Sequence, residues 1–197
     1  KFLGIFVFVN LVLLIVYYYS AKYIRKFKPD KKDLVFLGLT VIFFLILLRL
    51  GVFMASAFRD TLPVSVNISL FYYAIPIAAG AMLVRFILNS ETALVFAVIT
   101  SLFSGIFMEN NLELAVYYLM SGVFSAHAIA HVDKRSTVLL CGAYTGLVNV
   151  LVVISLNLIS SISGGMDPVH LLMSVLAGFF GGIFTAISRI WKEFLKF

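Results

Sequence analysis

KKDLVFLGLTVIFFLILLRLGVFMASAF, residues 31–58, is the stretch from which the rest of the chain is read. After the opening Lys-Lys-Asp it runs from 34 to 58 with one charge, Arg49. A helix needs roughly 20 consecutive apolar residues to cross the hydrocarbon core of a bilayer. This run exceeds that length and has no polar face of the kind a surface helix shows to water. Charge bounds it on both sides, as KFKPDKKD before and RDTLPVSVN after. It reads as a membrane span.

The whole chain agrees with that stretch. Its 197 residues are 62% hydrophobic and 12% charged, with a mean hydropathy of +1.10. Soluble domains run at about 45–50% apolar and about 25% charged. Too little polar surface is left for a soluble enzyme, a disordered chain or a nucleic-acid binder, and nucleic acid is excluded as a partner. The lipid bilayer is the expected one. At roughly 20 residues per span the length allows about seven spans with short loops. The expectation is an all-α membrane protein, one transmembrane domain over 1–197, with spans at about 2–19, 34–58, 69–88, 92–108, 112–131, 138–159 and 170–190. The intervening NSE (89–91), ENN (109–111), VDKRS (132–136) and SISGGMDP (161–168) carry the residues that helix ends and turns prefer. Spans three and four are nearly fused, and Pro76 kinks the third.

Charge placement orients the bundle. If the spans alternate, Lys22, Arg25, Lys26, Lys28, Lys31, Lys32, Arg85, Lys134, Arg135, Arg189, Lys192 and Lys196 share one side. Lys1 and Arg59 share the other side with Asp60, Glu109, Glu113 and Asp167. By the positive-inside rule the N-terminus lies outside and the C-terminus in the cytoplasm. Tyr17, Tyr18, Tyr19, Tyr23 and Trp191, with Tyr72 and Tyr73 at an outer end, fit interfacial positions. The opening KFLGIFVFVNLVLLIVYYYS is too long and wrongly flanked for a signal peptide. A chain that begins with Lys1 is expected to be part of something larger.

Small residues four apart mark faces where helices approach closely: Ser101 and Gly105, Gly122, Ala126 and Ala130, Gly142 and Gly146, Gly178 and Gly182. Spans four to seven are expected to pack tightly, and the bulky first two to face lipid. The same motifs make a homodimer plausible.

Few residues bear chemistry. Arg49 sits roughly 22 Å along its helix at 1.5 Å per residue. There it needs a partner or a route to water, since an intramembrane Arg costs about 2.5–3.5 kcal/mol. It is a candidate anion-binding or coupling residue, or else it snorkels outward or pairs with Glu109 or Glu113. Those two acids flank a tight outer turn and read as an acid pair or an exposed acidic rim. His127 and His131 stand one turn apart, but Ala128 occupies the place of the zinc-protease Glu, so interfacial packing fits them better than metal. His170 needs only a helix-entry role. Asn10, Asn149 and Asn157 are expected to hydrogen-bond between helices, at about 1 kcal/mol each. Cys141, the single cysteine, reads as a small buried hydrophobe. A seventh span without lysine excludes a retinal Schiff base, and no P-loop, GxSxG, zinc motif or TVGYG filter occurs. No catalytic residue is assigned.

FYYAIPIAAGAMLVRFILNSETALVFAVITSLFSGIF, followed by LMSGVFSAHAIAHVDKRSTVLLCGAYTGLVNVLVVISL, resembles the membrane region of the bacterial 7TMR-HD family, the PgpH-type cyclic-di-AMP phosphodiesterases. The span with Pro76, the Ser121-Gly122 pair, the Lys134-Arg135-Ser136 turn, the Gly146-Leu147-Val148-Asn149 run and the glycine-rich LLMSVLAGFFGG carry the likeness. The resemblance implies an extracellular domain before these spans and a cytoplasmic HD-type phosphodiesterase domain, holding divalent metals, after them. It implies no cofactor and no catalytic residue in these 197 residues. The chain would be a sensor or transducer in the bacterial cytoplasmic (inner) membrane, with Arg49, Glu109, Glu113 and Asn149 as candidate ligand-binding or coupling residues. The ending SRIWKEFLKF departs from the acidic junction expected of the family. The alternatives are a vitamin-like substrate-binding component of a transporter, with a cavity lined by Tyr72, Asn149 and Tyr144, and a passive anchor.

Overall fold

The computed structural model describes residues 31–61, 72–108, 111–129 and 135–161, with Leu11, Tyr18 and Leu176 singly. The first and seventh expected spans, 2–19 and 170–190, otherwise lie outside the described residues, as do Glu109, His131 and His170. Within them the chain is helical, without strands: α1 (Lys31–Thr61), α2 (Ala78–Ile87), α3 (Ser90–Phe107), α4 (Leu112–Ala128) and α5 (Arg135–Ser161). Three stretches, Lys32–Ala57, Ser90–Phe107 and Leu140–Ile159, are long and apolar enough to cross a membrane.

α1 and α5 are longer than expected, because the polar residues flanking each apolar run continue the helix. At 31 residues, α1 extends about 46 Å, beyond a hydrocarbon core of about 30 Å. A helix of that length has turns to spare at its ends, which is where the sequence carries most of its charges.

The third expected span is not one kinked helix. Residues 72–73 are helical, 74–77 form a turn through Pro76, and α2 begins only at Ala78. Proline has no N–H to give the ladder, and its ring opposes a helical preceding residue. α2 and α3, nearly fused by hydropathy, are separated at Asn89. The Asn89 side chain accepts from the Thr92 N–H at 2.8 Å and from the Thr92 hydroxyl at 2.6 Å. Asn111 does the same for α4, accepting from the Leu114 N–H at 3.1 Å. Each cap satisfies a backbone donor that the helix leaves open.

α4 is the centre of the described bundle, packing on α2, α3 and α5, while α1 lies across α2 and α3. The expected small-residue faces are the contact faces. Ser101, Gly105, Gly122, Ala126, Gly142 and Gly146 are all buried; Ala130, Gly178 and Gly182 lie outside the described residues. A methyl on Gly122 would meet the Ala97 Cβ at 3.0 Å, and one on Gly105 the Ala115 Cβ at 2.9 Å. At those points backbone approaches backbone, as in close membrane helix pairs.

α1 divides by face. Val35, Leu39, Ile42, Phe43, Ile46, Leu50 and Phe53 are exposed, as a lipid-facing surface requires, while Leu37, Val41, Phe44, Leu48 and Ala55 are buried. Phe44 meets Phe96 of α3 edge-on, centroids 5.9 Å apart, and both rings close over Gly80, where an added Cβ would collide with Phe96 and Phe44. Gly80→Val is expected to destabilise the protein by about 1–3 kcal/mol, because two buried rings would have to shift to admit it. Gly38 has nothing within 4 Å of the added carbon, so Gly38→Ala should stay within about 0.5 kcal/mol of the parent. Thermal unfolding of the detergent-solubilised variants reads both.

Candidate functional site

A proline inside a membrane helix leaves the carbonyl four residues earlier without its donor, and in hydrocarbon no water replaces it. Here that carbonyl is Tyr72. The Ile75 N–H bends back to it at 3.2 Å, and the Tyr118 hydroxyl donates to it from α4 at 2.6 Å. The next carbonyl, Tyr73, is bypassed as well, because the Ile77 N–H turns to Ile75 at 2.9 Å. The Tyr117 hydroxyl donates to Tyr73 instead, at 2.8 Å. Two turns further along α4, the Ser125 hydroxyl lies 3.1 Å from the Ala78 carbonyl and 3.0 Å from that of Gly122. One face of α4 thus follows this segment, and its two phenols donate to the carbonyls that the helical ladder bypasses.

Rings complete the clamp. Tyr73 and Tyr117 stack edge to face with centroids 5.0 Å apart, and Tyr117 meets Tyr118 at 5.2 Å. They share a buried cluster with Leu48, Ile75, Ile77, Met108, Leu114 and Val153. On α1, Gly51 admits the break: an added Cβ would lie 2.6 Å from the Ile75 side chain. Tyr73, expected at the interface, is turned into the bundle and is only 5% exposed. The roles of Tyr117, Tyr118 and Ser125 are not read from hydropathy. The available signal is a pair of phenols within an apolar span, each needing an acceptor, set against a proline that frees one.

The other hydroxyls serve their own helices. Thr40, Thr100, Ser104, Thr145 and Ser155 each donate to the carbonyl four residues back. Asn157 does likewise through its Nδ2, at 2.9 Å from the Val153 oxygen, and so bonds within α5 where an interhelical bond was expected.

The residues singled out from the sequence do not converge. Arg49 is exposed on the outer face of α1, and Glu113 is exposed in the first turn of α4. Asn149 is buried in the face of α5 formed by Cys141, Thr145, Asn149 and Val153, and its Oδ1 is enclosed. Glu109 lies outside the described residues. Cys141 is buried, a thiol in no disulfide, its Sγ 3.1 Å from the Ala128 carbonyl, as a small hydrophobe with a weak donor would sit. Tyr144 is 51% exposed and stands about 140° around α5 from Asn149, so those two do not line a common cavity. His127 is exposed near the end of α4. Among the described residues, no three His, Cys, Asp or Glu side chains are grouped to hold a metal. What the arrangement offers is a turn at 74–77 whose bypassed carbonyls are held against a central helix by a few directional bonds.

A turn through Pro76 braced by hydroxyls from a central helix, within an all-helical bundle of apolar helices, is the arrangement to set beside known proteins. The chain belongs to the family described as 7TM receptor with intracellular HD hydrolase, whose model matches residues 1–190. It is 26% identical over 185 residues to the cyclic-di-AMP phosphodiesterase PgpH of Bacillus subtilis (strain 168), a match covering 89% of this chain and 25% of that protein. The chain therefore spans about a quarter of that relative's length. No solved structure matches it. Membership of this family does not favour the transporter-component reading.

Tyr118→Phe should cost about 1 kcal/mol by leaving the Tyr72 carbonyl with one long bond. Pro76→Ala restores an N–H aimed at the same carbonyl. Adding it to Tyr118→Phe should recover part of that loss, and a double-mutant cycle on unfolding midpoints would show the coupling.

Proposed function

We propose that this chain is the transmembrane sensor and transducer module that anchors and regulates a cytoplasmic HD-type cyclic-di-AMP phosphodiesterase. The family match over residues 1–190 carries the reading. In it the chain crosses the bacterial cytoplasmic membrane seven times, N-terminus outside and C-terminus inside, as the positive-inside rule requires. It does no catalysis itself. The hydrolase, with its divalent metals, follows it, an extracellular domain precedes it, and the intact protein pairs as a homodimer.

The broken segment before α2 supplies a physical route for the signal. With the N-terminus outside, Glu113 and the Tyr117–Tyr118 pair lie toward the outer end of α4, within reach of an extracellular event. A ligand that prefers one arrangement of residues 72–77 shifts the population of that arrangement only by its differential affinity. α4 touches α2, α3 and α5, so displacing it repacks the bundle and alters the helix ends that face the hydrolase. Arg49, Glu109, Glu113 and Asn149 are the residues proposed to bind the signal or couple it.

Topology is testable by labelling. In a Cys141→Ser background of the full-length protein, a membrane-impermeant maleimide applied to intact cells should reach Glu113→Cys. It should reach Ser136→Cys only after permeabilisation, and the reverse pattern refutes the orientation. For regulation, replacing residues 1–190 of the full-length protein with unrelated spans should abolish the response of cyclic-di-AMP hydrolysis to the external signal. Retained regulation would make the spans a passive anchor. Arg49→Leu should change the size or midpoint of that response, and an unaltered dose–response curve removes Arg49 from the pathway.

A further inference from the structure

With 10 residues, α2 extends about 15 Å, half of a hydrocarbon core of about 30 Å. The turn at 74–77 precedes it, and Asn89, extended at φ −155° and ψ 175°, separates it from α3. The two sides of the turn are held differently. Before it, the Tyr73 carbonyl has the Tyr117 hydroxyl at 2.8 Å, and the Tyr72 carbonyl has the Tyr118 hydroxyl at 2.6 Å besides the longer Ile75 N–H. Withdrawing the phenols would leave those carbonyls poorly served. After it, Ser125 has one proton for two acceptors, Ala78 at 3.1 Å and Gly122 at 3.0 Å. If Ala78 withdraws, Ser125 keeps Gly122, and the Ala78 carbonyl keeps the helical bond that its place in α2 gives it. Neither group is orphaned. Packing is graded in the same sense along α2. Ala78 to Met82 are buried, with Gly80 beneath Phe96 and Phe44, while Phe86 and Ile87 at the other end are 47% and 36% exposed.

We propose that residues 74–77 are a hinge on which α2 swings, with the Ser125 hydroxyl as its releasable latch. The phenol-bound residues 72–73 stay with α4, the seat of Gly80 under the two rings is the pivot, and Phe86 and Ile87 mark the end that moves. Hinges are a few residues at the ends of elements that absorb backbone rotation, and 74–77 lie outside the helical ladder. Ser125 makes the two positions nearly equal in hydrogen bonding, donating to Ala78 in one and to Gly122 in the other. Gly80 and Ile87 are about 10 Å apart along the helix, so a swing of about 20° carries the far end about 4 Å. Use of the swing in regulation rests on the proposed function, in which that end is the cytoplasmic one. The swing itself does not.

The test measures distances by double electron–electron resonance in a cysteine-free form of the full-length protein, held in lipid nanodiscs. Spin labels at Phe86→Cys and Leu140→Cys look across the bundle, because α4 packs on both α2 and α5 and the Cys141 contact with Ala128 brings Leu140 near the level of the far end of α2. That pair should give two distances separated by about 4 Å. Leu94→Cys with Leu140→Cys, which leaves α2 out, should give one. Pro76→Ala, which restores an N–H to the helical ladder, should reduce the first pair to a single distance. Ser125→Ala should change the ratio of the two populations and leave both distances where they were. A single distance in the parent, two distances that survive Pro76→Ala, or a splitting shared by the Leu94 pair overturns the hinge. An unchanged ratio in Ser125→Ala overturns the latch. Cyclic-di-AMP hydrolysis is read separately: if Pro76→Ala removes the second distance and leaves hydrolysis unaltered, the hinge stands and its regulatory use fails.

Discussion

A backbone carbonyl in a low-dielectric medium must find a donor, and Pro76 removes one from the middle of an apolar segment. That constraint organises the described part of the molecule. Tyr118 and Tyr117 answer it with hydroxyls that reach Tyr72 and Tyr73 at 2.6 and 2.8 Å, and Ser125 contacts Ala78 two turns on. The phenols can reach because their rings are packed edge to face among buried apolar side chains, which holds each hydroxyl at its acceptor. Packing and hydrogen bonding here are one arrangement. Bare hydrophobic contact is weak between helices in lipid, and directional bonds of this kind fix which face meets which.

The position of α4 follows. A helix serving as donor for a broken neighbour must lie close to it along its length, and the small residues permit that. Gly122 against Ala97 and Gly105 against Ala115 let α3 and α4 approach until methyl groups would collide. Gly80 does the same beneath Phe96 and Phe44. Close approach with little slack makes the bundle unwelcoming to intermediate positions, and packed cores are bistable and not smoothly deformable. The turn at 74–77 is where such a bundle is least constrained by its own helical ladder.

Much of this was legible from residue order. Long apolar runs with charged flanks locate α1, α3, α4 and α5, because a bilayer sets span length and excludes unpaired charge. Asn89 and Asn111 mark helix starts, since their short side chains cap the following turn. The four-residue spacing of Ser101 and Gly105, or of Gly122 and Ala126, marks buried faces before any neighbour is known. The stretch around Pro76 already resembled the 7TMR-HD family, and the match over residues 1–190 agrees. The candidate site was less legible. Arg49 and Glu113 stand out as charges in an apolar chain, yet they are exposed and apart from the buried Asn149.

Periodicity and composition determine that the chain is helical and belongs in a membrane, because those properties come from local energetics along a single strand of residues. They do not determine that Tyr117 and Tyr118 serve carbonyls 44 and 46 positions earlier in the chain, or that Tyr73 faces inward. Partners of that separation are chosen when helices pack, by the need to satisfy polar groups that only the assembled bundle brings together and hides from solvent.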